Sequence, residues 1–332
     1  EKTMEKSLKS KLIRLEKLHQ EFIGNTPLIE ITNDDREGAK IFAKAEWHNM
    51  TGSIKDRCSY GMLKAAIEGA LAKGEDNLKI VEYTGGNQGL TLSLLGGMLD
   101  IPMTLVVPGS LPESLAKTLA LHGATVVRGD PKEGFFGAMQ KAEQIAQEDS
   151  SLTFLHQQHN LANIQSYEDI MAVEILSQLR EMQANTVDAW VAAIGSGGTL
   201  IGVYNGLKKS FPSVQMYCIS PKEMPYGTSK SPSSKPKLFG SGGVGYGIKQ
   251  KFVEEMEEHV VQHLYYSLEE AYQGMADYYR ETGTFIGSSS AANLLAAKSI
   301  ARDLGQDKVV VTVFPSLALQ KEITALKDYL VP

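Results

Sequence analysis

The sequence has few of the features that mark secreted, membrane or metal-binding proteins. Its 332 residues include two cysteines, Cys58 and Cys218, which are too few for a disulfide framework and match no zinc spacing. No apolar run reaches the roughly 18 residues that a membrane span needs. Residues 1–20 lack the apolar core of a signal peptide, and they carry glutamates where transit peptides are poor in acids. These absences predict a cytoplasmic protein without membrane contact.

An excess of positive charge is also missing. The chain has 33 lysines and arginines against 39 aspartates and glutamates, which gives a net charge of −6. Sequence-independent nucleic-acid binding needs clustered positive charge, so no nucleic-acid partner is expected. No group of His, Cys, Asp or Glu has metal-ligand spacing, so no metal is expected either. The hydrophobic fraction of 42% is ordinary for a globular protein, and the length suggests about two domains.

Short β-rich segments alternate with helical patterns along the chain, and leucines at helical spacing predict an amphipathic helix within residues 1–20. This alternation predicts an α/β fold with parallel sheets covered by helices on both faces. The irregular stretch 221–247 is rich in Pro, Ser and Gly, which predicts a long functional loop. The predicted strands are 41–46, 78–84, 103–108, 124–129, 152–157, 189–195, 215–220, 284–288 and 308–315. The predicted helices between them are 56–72, 88–99, 113–122, 133–148, 165–182, 199–210, 267–281, 290–304 and 317–328.

Four segments rich in glycine or polar residues each follow a predicted strand and precede a predicted helix. They are TGSIKDR (51–57), TGGNQG (84–89), GSGGTL (195–200) and GSSSAAN (287–293). Ligands of open α/β sheets gather at the carboxyl ends of the strands, so these segments are expected to meet at one cleft.

Each segment has an ordinary reading and a chemical one. Lys55 is either a solvated surface lysine or a nucleophile able to form a Schiff base. Segment 84–89 is either a tight turn or an anion site, with Asn87 as donor and acceptor. Segment 195–200 has the pattern of a phosphate nest, and 287–293 holds either an N-cap serine or a hydroxyl facing a ring nitrogen. Together they indicate a phosphorylated aldehyde cofactor.

The motifs resemble those of the fold-type II pyridoxal-phosphate enzymes, in particular the cysteine synthase and cystathionine β-synthase family. The resemblance runs in order from about residue 20 to the C-terminus. It is carried by GNTPLIEI (24–31), EWHNMTGSIKDR (46–57), TGGNQG (84–89), QQHNLAN (157–163), GSGGT (195–199), GGVGYG (242–247) and GSSSAA (287–292).

This resemblance implies two parallel-sheet, three-layer domains with the cofactor cleft between them, as in the tryptophan synthase β-like fold. It implies a smaller mobile domain over 47–160 and a larger cofactor-binding domain over 1–46 plus 161–332. It also implies pyridoxal 5′-phosphate as cofactor and a homodimer.

The resemblance also assigns roles to individual residues. Lys55 would form the internal aldimine and then move protons at Cα. Asn87 would hydrogen-bond the 3′ oxygen of the cofactor, and Ser289 would face the pyridine nitrogen. The cofactor phosphate would be bound by Gly195, Ser196, Gly197, Gly198 and Thr199. The substrate carboxylate site would be lined by Thr84, Gly85, Gly86, Gln88 and Gln158.

The reaction implied is β-replacement on a β-substituted L-amino acid of the O-acetylserine, O-phosphoserine, serine or cysteine type, through an aminoacrylate intermediate and with a small nucleophile. A β-elimination lyase of the serine dehydratase or cysteine desulfhydrase type is the alternative, and a non-catalytic binding partner of the same family is a second. The pocket departs from the family pattern at Gly85, Gln88 and Ser316, where the family has Ser, Thr and often Asp.

Overall fold

The computed structural model describes residues 7–33, 35–228 and 247–331. Its strands are β1 (Leu28–Ile31), β2 (Lys40–Ala45), β3 (Ile80–Tyr83), β4 (Met103–Val107), β5 (Thr125–Arg128), β6 (Thr153–Phe154), β7 (Ala189–Ala193), β8 (Gln215–Pro221), β9 (Val260–Tyr266) and β10 (Val309–Phe314). Its helices are α1 (Leu8–Phe22), α2 (Lys55–Ala72), α3 (Asn87–Leu99), α4 (Glu113–Leu121), α5 (Gly134–Glu148), α6 (Leu161–Ser166), α7 (Ala172–Glu181), α8 (Gly198–Ser210), α9 (Lys251–Glu254), α10 (Leu268–Thr282), α11 (Ser288–Leu304), α12 (Gln320–Ala325) and α13 (Lys327–Leu330).

The larger sheet has six strands in the order β1-β2-β10-β7-β8-β9. Its neighbours pair in parallel except β1, which runs antiparallel to β2 with Leu28 opposite Lys44. The predicted parallel sheet therefore carries one antiparallel strand at its edge. The connection between β1 and β2 is short and contains no helix, and only antiparallel neighbours can be joined in that way.

The smaller sheet has four parallel strands in the order β5-β4-β3-β6. All its strands lie within residues 80–154, whereas every strand of the larger sheet lies before residue 46 or after residue 188. The chain therefore builds the larger sheet from both of its ends and the smaller sheet from its middle.

The central strands of both sheets are buried on both faces. Along β10, Val309, Val311 and Val313 belong to one apolar core, whereas Val310 and Phe314 belong to another on the opposite face. The smaller sheet alternates in the same way: Ile80, Leu105 and Val107 face one core, and Val81, Tyr83 and Val106 face the other. Helices cover these faces, so each sheet forms the middle of three layers.

Most predicted elements are present, and the differences have local causes. The predicted strand 284–288 forms only an isolated bridge between Ile286 and Leu317. The predicted helix 317–328 is divided into α12 and α13, and 165–182 contains a π-helical turn at Tyr167–Met171 before α7. Strands β1 and β9 were not predicted. Of the predicted loop 221–247, residues 229–246 lie outside the described chain, and with them most of GGVGYG (242–247).

Candidate active site

Lys55 is the first residue of α2, beside the carboxyl end of β10. The Ile54 backbone N–H donates to the Pro315 carbonyl over 2.9 Å, and Ser53 pairs with Ser316 in an antiparallel bridge. The Lys55 side chain is partly exposed, and its Nζ has no hydrogen bond or ion pair with any residue that the structure describes. The fold thus holds the backbone of this lysine and leaves its amine available.

The glycine-rich loop 195–199 joins the carboxyl end of β7 to the N-terminus of α8. Gly197 has φ of 91°, in the left-handed region that glycine tolerates best. Asn163 fixes the loop, since its Nδ2 donates to Ser196 Oγ (2.8 Å) and to the Gln157 carbonyl (2.9 Å). The Gly198 N–H donates to Ser196 Oγ over 3.3 Å, and the helix N-terminus itself attracts an anion such as phosphate.

Tyr167 links the segment 51–55, which we call the lysine loop, to the glycine-rich loop 195–199. Its hydroxyl donates to the Ile54 carbonyl over 3.3 Å, and the Thr199 side chain lies at the same hydroxyl. Complete burial raises the pKa of Tyr167 well above its ordinary value, so the phenol stays protonated and serves as a donor. Lys55 and the loop 195–199 are therefore parts of one site.

The segment 84–89 forms the N-terminus of α3. Thr84 is fully buried, and its Oγ1 accepts from the backbone N–H groups of Gly86 (3.2 Å) and Gly89 (2.8 Å). Gly86 has φ of 145°, which requires glycine. Asn87 is exposed at the first position of the helix. Thr84, predicted to line the carboxylate site, thus also shapes the loop that presents it.

Asp56 holds the beginnings of α2 and α3 together. Its carboxylate accepts from Thr91 Oγ1 over 2.5 Å and from the Thr51 backbone N–H over 2.7 Å. Burial raises the pKa of Asp56 in spite of these hydrogen bonds. This carboxylate therefore fixes the N-terminus of α2, where Lys55 lies, relative to the N-terminus of α3, where Asn87 lies.

Three buried carboxamide side chains around the cleft have polar atoms without partners. Gln88 and Gln158 are 2% and 3% exposed. Within the described part of the chain, both amide atoms of Gln88, Nε2 of Gln158 and Oδ1 of Asn163 have no hydrogen-bond partner, although the Gln88 amide lies beside the Glu82 carboxyl. Leaving such groups unpaired costs about 1–3 kcal/mol each. A bound polar ligand would satisfy them.

Ser289 lies in the first turn of α11. Its neighbours Gly287 and Ser290 bond to Ser316, which also pairs with Ser53 of the lysine loop. Ser290 Oγ and the Gly287 backbone N–H both donate to the Ser316 carbonyl over 3.0 Å. Ser289 itself is partly exposed. The four predicted segments therefore meet at the carboxyl ends of the strands, although Ser316 contributes its carbonyl rather than an acidic side chain.

Comparison with known proteins agrees with this geometry. The family model described as "Pyridoxal-phosphate dependent enzyme" matches residues 19–316. The chain belongs to this pyridoxal-phosphate family. It is an enzyme whose cofactor is pyridoxal phosphate, as the motifs predicted, and the predicted fold class is confirmed.

Its relatives within the family include cysteine synthases. One from Staphylococcus aureus (strain N315) is 31% identical over 299 residues, which cover 89% of this chain and 92% of the relative. An O-acetylserine dependent cystathionine β-synthase from Helicobacter pylori has a TM-score of 0.78 and 28% identity, covering 90% of this chain and 94% of its own. A hydrogen sulfide-producing enzyme from Fusobacterium nucleatum has a TM-score of 0.81 and 27% identity, covering 96% and 92%.

The residues of this pyridoxal-phosphate enzyme fit the cofactor of its family. A free amine at Lys55 can join an aldehyde, and the loop 195–199 offers helix N–H groups and two hydroxyls to a phosphate. The unpartnered amide atoms of Gln88, Gln158 and Asn163 would be satisfied by polar groups of a ligand. The protein atoms thus match an aldehyde, an anion and a polar substrate.

A buried charge network behind the lysine was not predicted. Arg57 lies two residues after Lys55, contacts Glu46, and donates to Glu174 Oε1 over 2.8 Å. Lys44 lies 2.9 Å from the same Glu174 oxygen. Burial opposes ionisation of Glu174, but Arg57 and then Lys44 outweigh it and lower its pKa to about 2. The motif KDR contains Arg57, but its partners are distant in sequence, so only the fold shows them.

Two further findings concern the part of the chain that the structure describes. It contains no group of three or more His, Cys, Asp or Glu side chains that could hold a metal ion. None of its helices is both long enough and apolar enough to cross a membrane.

Proposed function

We propose that this enzyme exchanges the β-substituent of an L-amino acid for a small nucleophile, in the manner of a cysteine synthase. The observation that carries the proposal is the set of contacts that joins the loops of the candidate site. Tyr167 links the loop before Lys55 to Thr199, and Asn163 links the glycine-rich loop to Gln157, beside Gln158. The cysteine synthase relatives, at 31% identity over most of the chain, support the same reaction class.

Pyridoxal phosphate would be held by Lys55, by the loop 195–199, by Ser289 at its ring nitrogen and by Asn87 at its 3′ oxygen. When bound, the cofactor withdraws electrons from the amino-acid Cα, which makes the Cα proton acidic and lets the group on Cβ leave. Ser289 is neutral, and a neutral partner at the ring moderates this withdrawal and favours chemistry at Cβ.

Lys55 is the residue proposed to move the proton at Cα. Its Nζ is not engaged by the described side chains, so the amine is able to accept this proton and return it. Its backbone is fixed from both sides, by Ile54 on Pro315 and by the ion pairs of Arg57. The amine therefore reaches the reacting carbon from a rigid helix terminus.

The substrate carboxylate would bind at the N-terminus of α3. The backbone N–H group of Gly85 and the N-terminus of α3 would attract an anion, whereas the N–H groups of Gly86 and Gly89 already donate to Thr84 Oγ1. Gly85 has no side chain to donate, but Nε2 of the buried Gln158 has no partner among the described residues and would donate instead. Gln158 would thus compensate for the departure from the family pattern.

The remaining parts of the proposal concern the whole molecule. The segment 47–160, which contains the smaller sheet, is proposed to close over the cleft and exclude water during the reaction. A homodimer and a cytoplasmic location complete the proposal.

A second candidate is β-elimination with release of an α-keto acid. The structural likeness to the hydrogen sulfide-producing enzyme of Fusobacterium nucleatum favours it. The two candidates differ in one measurement: a replacement enzyme makes a new amino acid only when the nucleophile is present, whereas an eliminating enzyme releases pyruvate with or without it.

The substitution Lys55→Ala tests the proposal. We expect the turnover of β-substituted amino acids to fall at least about 100-fold, because the proton at Cα loses its base. Mass spectrometry of the products measures the turnover. Lys64→Ala is the matched control, since Lys64 lies on the same helix and is held by surface ion pairs with Glu16 and Glu68. Full activity of Lys55→Ala would refute the proposed role.

A further inference from the structure

Tyr83 is the last residue of β3 and lies directly before the segment 84–89. It is completely buried, and its ring packs edge-on against Phe135 and Phe154, with centroids 5.5 and 5.9 Å away. Packing alone needs only the ring. A buried hydroxyl has to be satisfied by hydrogen bonds, so its partners show what else the residue does.

The Tyr83 hydroxyl has two partners from the segment that follows β6. Its oxygen accepts from the Gln158 backbone N–H over 2.9 Å, and it lies 3.0 Å from Nδ1 of His156. The Tyr83 carbonyl also accepts from Gln157 Nε2 over 3.0 Å. Tyr83 therefore binds Gln158 through its side chain and Gln157 through its backbone carbonyl.

His156 is held so that its Nδ1 faces this hydroxyl. Its ring is stacked between Phe154 and His159, at centroid distances of 4.6 and 4.0 Å, and its backbone has φ of 54°. Burial, then His159 and Lys251, lower the pKa of His156 to about 4. In the neutral ring with its hydrogen on Nε2, Nδ1 can accept a hydrogen bond from the Tyr83 hydroxyl, while the phenolic oxygen accepts one from the Gln158 backbone N–H.

We propose that Tyr83 and His156 are positioning residues for Gln158, and that through it they set the affinity of the site for the substrate carboxylate. This inference rests on the proposed function of Gln158. The Gln158 side chain is buried with a free Nε2, so the direction of its amide depends on where its backbone is held. The tyrosine hydroxyl is the hydrogen-bond acceptor of that backbone N–H.

The test is Tyr83→Phe in the holoenzyme, which removes the hydroxyl and keeps the ring. We expect KM for the amino-acid substrate to rise about three- to tenfold, as for one lost hydrogen bond, with kcat changed less than about twofold. We also expect the backbone N–H of Gln158, which loses its acceptor, to exchange hydrogen faster. Mass spectrometry of peptides covering 155–160 measures this exchange.

Ser93→Ala is the matched control. Ser93 Oγ lies 2.9 Å from Nδ1 of His122, so this variant also removes a hydroxyl–imidazole contact near the smaller sheet, but one that does not touch Gln158. We expect it to leave KM and the exchange of 155–160 unchanged. If Tyr83→Phe behaves like Ser93→Ala in both measurements, the positioning role is wrong.

A second pair of variants separates positioning from general packing. In His156→Asn the amide oxygen can replace Nδ1 as acceptor, and asparagine tolerates the left-handed backbone. In His156→Leu the acceptor is lost. We expect His156→Asn to keep the KM of the wild type and His156→Leu to raise it as Tyr83→Phe does; equal KM values would overturn the proposal.

The measurements also distinguish this inference from the proposed function. If the wild-type enzyme turns over no β-substituted amino acid, the proposed function fails, and hydrogen exchange still decides whether the Tyr83 hydroxyl holds Gln158. If the wild type is active and neither KM nor exchange responds to Tyr83→Phe, the inference fails and the proposed function stands.

Discussion

Gly198, at the start of α8, shows how a single missing methyl group shapes the phosphate loop. A Cβ at this position would lie 2.1 Å from Asn163 Oδ1, far inside van der Waals contact. Asn163 cannot move aside without losing its bonds to Ser196 and to the Gln157 carbonyl. We expect Gly198→Ala to weaken pyridoxal-phosphate binding at least about tenfold, because Ser196 and the helix N–H groups shift together. Spectral titration of the apoenzyme with the cofactor measures this.

The control for Gly198→Ala is Gly69→Ala in α2. Gly69 is also helical, but a Cβ there meets nothing within 4 Å. Alanine at such a position stabilises a helix by about 0.5–1 kcal/mol. Unchanged cofactor affinity in both variants would contradict the assigned role of the loop.

At the level of single residues, the strand–loop–helix order along the chain indicated Lys55 and the loop 195–199 as candidates, and their roles followed from the resemblance of the ordered motifs. The hydrogen bonds of Thr84 and the role of Asn163 required the fold. Asn163 acts across 33 residues on Ser196, and no local pattern in the sequence connects them.

Among the elements, β6 is shorter than its sequence predicted. The apolar run 152–157 indicated a full strand, yet only Thr153–Phe154 pairs with β3. The backbone N–H groups of His156 and Gln157 turn instead to the carboxyl of Glu82, over 3.2 and 3.1 Å. The pairing thus continues through a side chain of β3, which fixes the backbone of residues 156–157 directly before Gln158.

The missing and surplus elements have similar causes. Strand β9 is an edge strand with an exposed, partly polar face, so its segment lacks the continuous apolar character of the central strands. The segment 284–288 has strand-like composition but only an isolated bridge as partner. Sequence patterns report local preference and burial, whereas pairing depends on which neighbours the fold supplies.

The Glu82 contact makes the joint between β3 and residues 156–157 sensitive to pH. Burial raises the pKa of Glu82 to about 8, although the N–H groups of Tyr83, Gln157 and His156 oppose this shift. The folded protein therefore keeps a proton that the unfolded chain releases near pH 4.5. This group's contribution to stability is complete below about pH 4.5, declines as the pH rises, and is lost above about pH 8.

The variant Glu82→Gln removes this titration. We expect it to be less stable than the wild type, since an amide N–H then faces backbone donors, and we expect the difference in unfolding free energy to shrink between pH 5 and pH 8. The slope cannot exceed about 1.4 kcal/mol per pH unit. Urea unfolding at several pH values measures it. Exposed Glu75→Gln should show no such trend, and a constant difference for Glu82→Gln would contradict the assignment.

On the scale of the whole molecule, the buried network of Lys44, Glu46, Arg57 and Glu174 joins the parts of the chain that build the two sheets. Lys44 is on β2 of the larger sheet, Glu174 is on α7, and Arg57 is on α2, which begins at Lys55. Two cations and two anions balance, which is the condition under which buried charges are tolerated. Closure of the segment 47–160 is therefore expected to turn about this network rather than to break it.

The variant Glu174→Gln tests this network, because it leaves Lys44 and Arg57 buried against Glu46 alone. We expect a loss of about 3–5 kcal/mol in unfolding free energy at pH 7. Since Arg57 and Lys44 lower the pKa of Glu174 to about 2, the stability that this carboxylate supplies is complete above about pH 4.5 and declines as the pH falls towards 2. The difference in unfolding free energy between variant and wild type should therefore narrow from pH 5 to pH 3.5 in urea unfolding.

Glu113→Gln is the control. Glu113 accepts from Arg128 over the same 2.8 Å but is 69% exposed, and such surface pairs contribute less than about 1 kcal/mol. Equal losses in the two variants would show that burial does not give this network its strength.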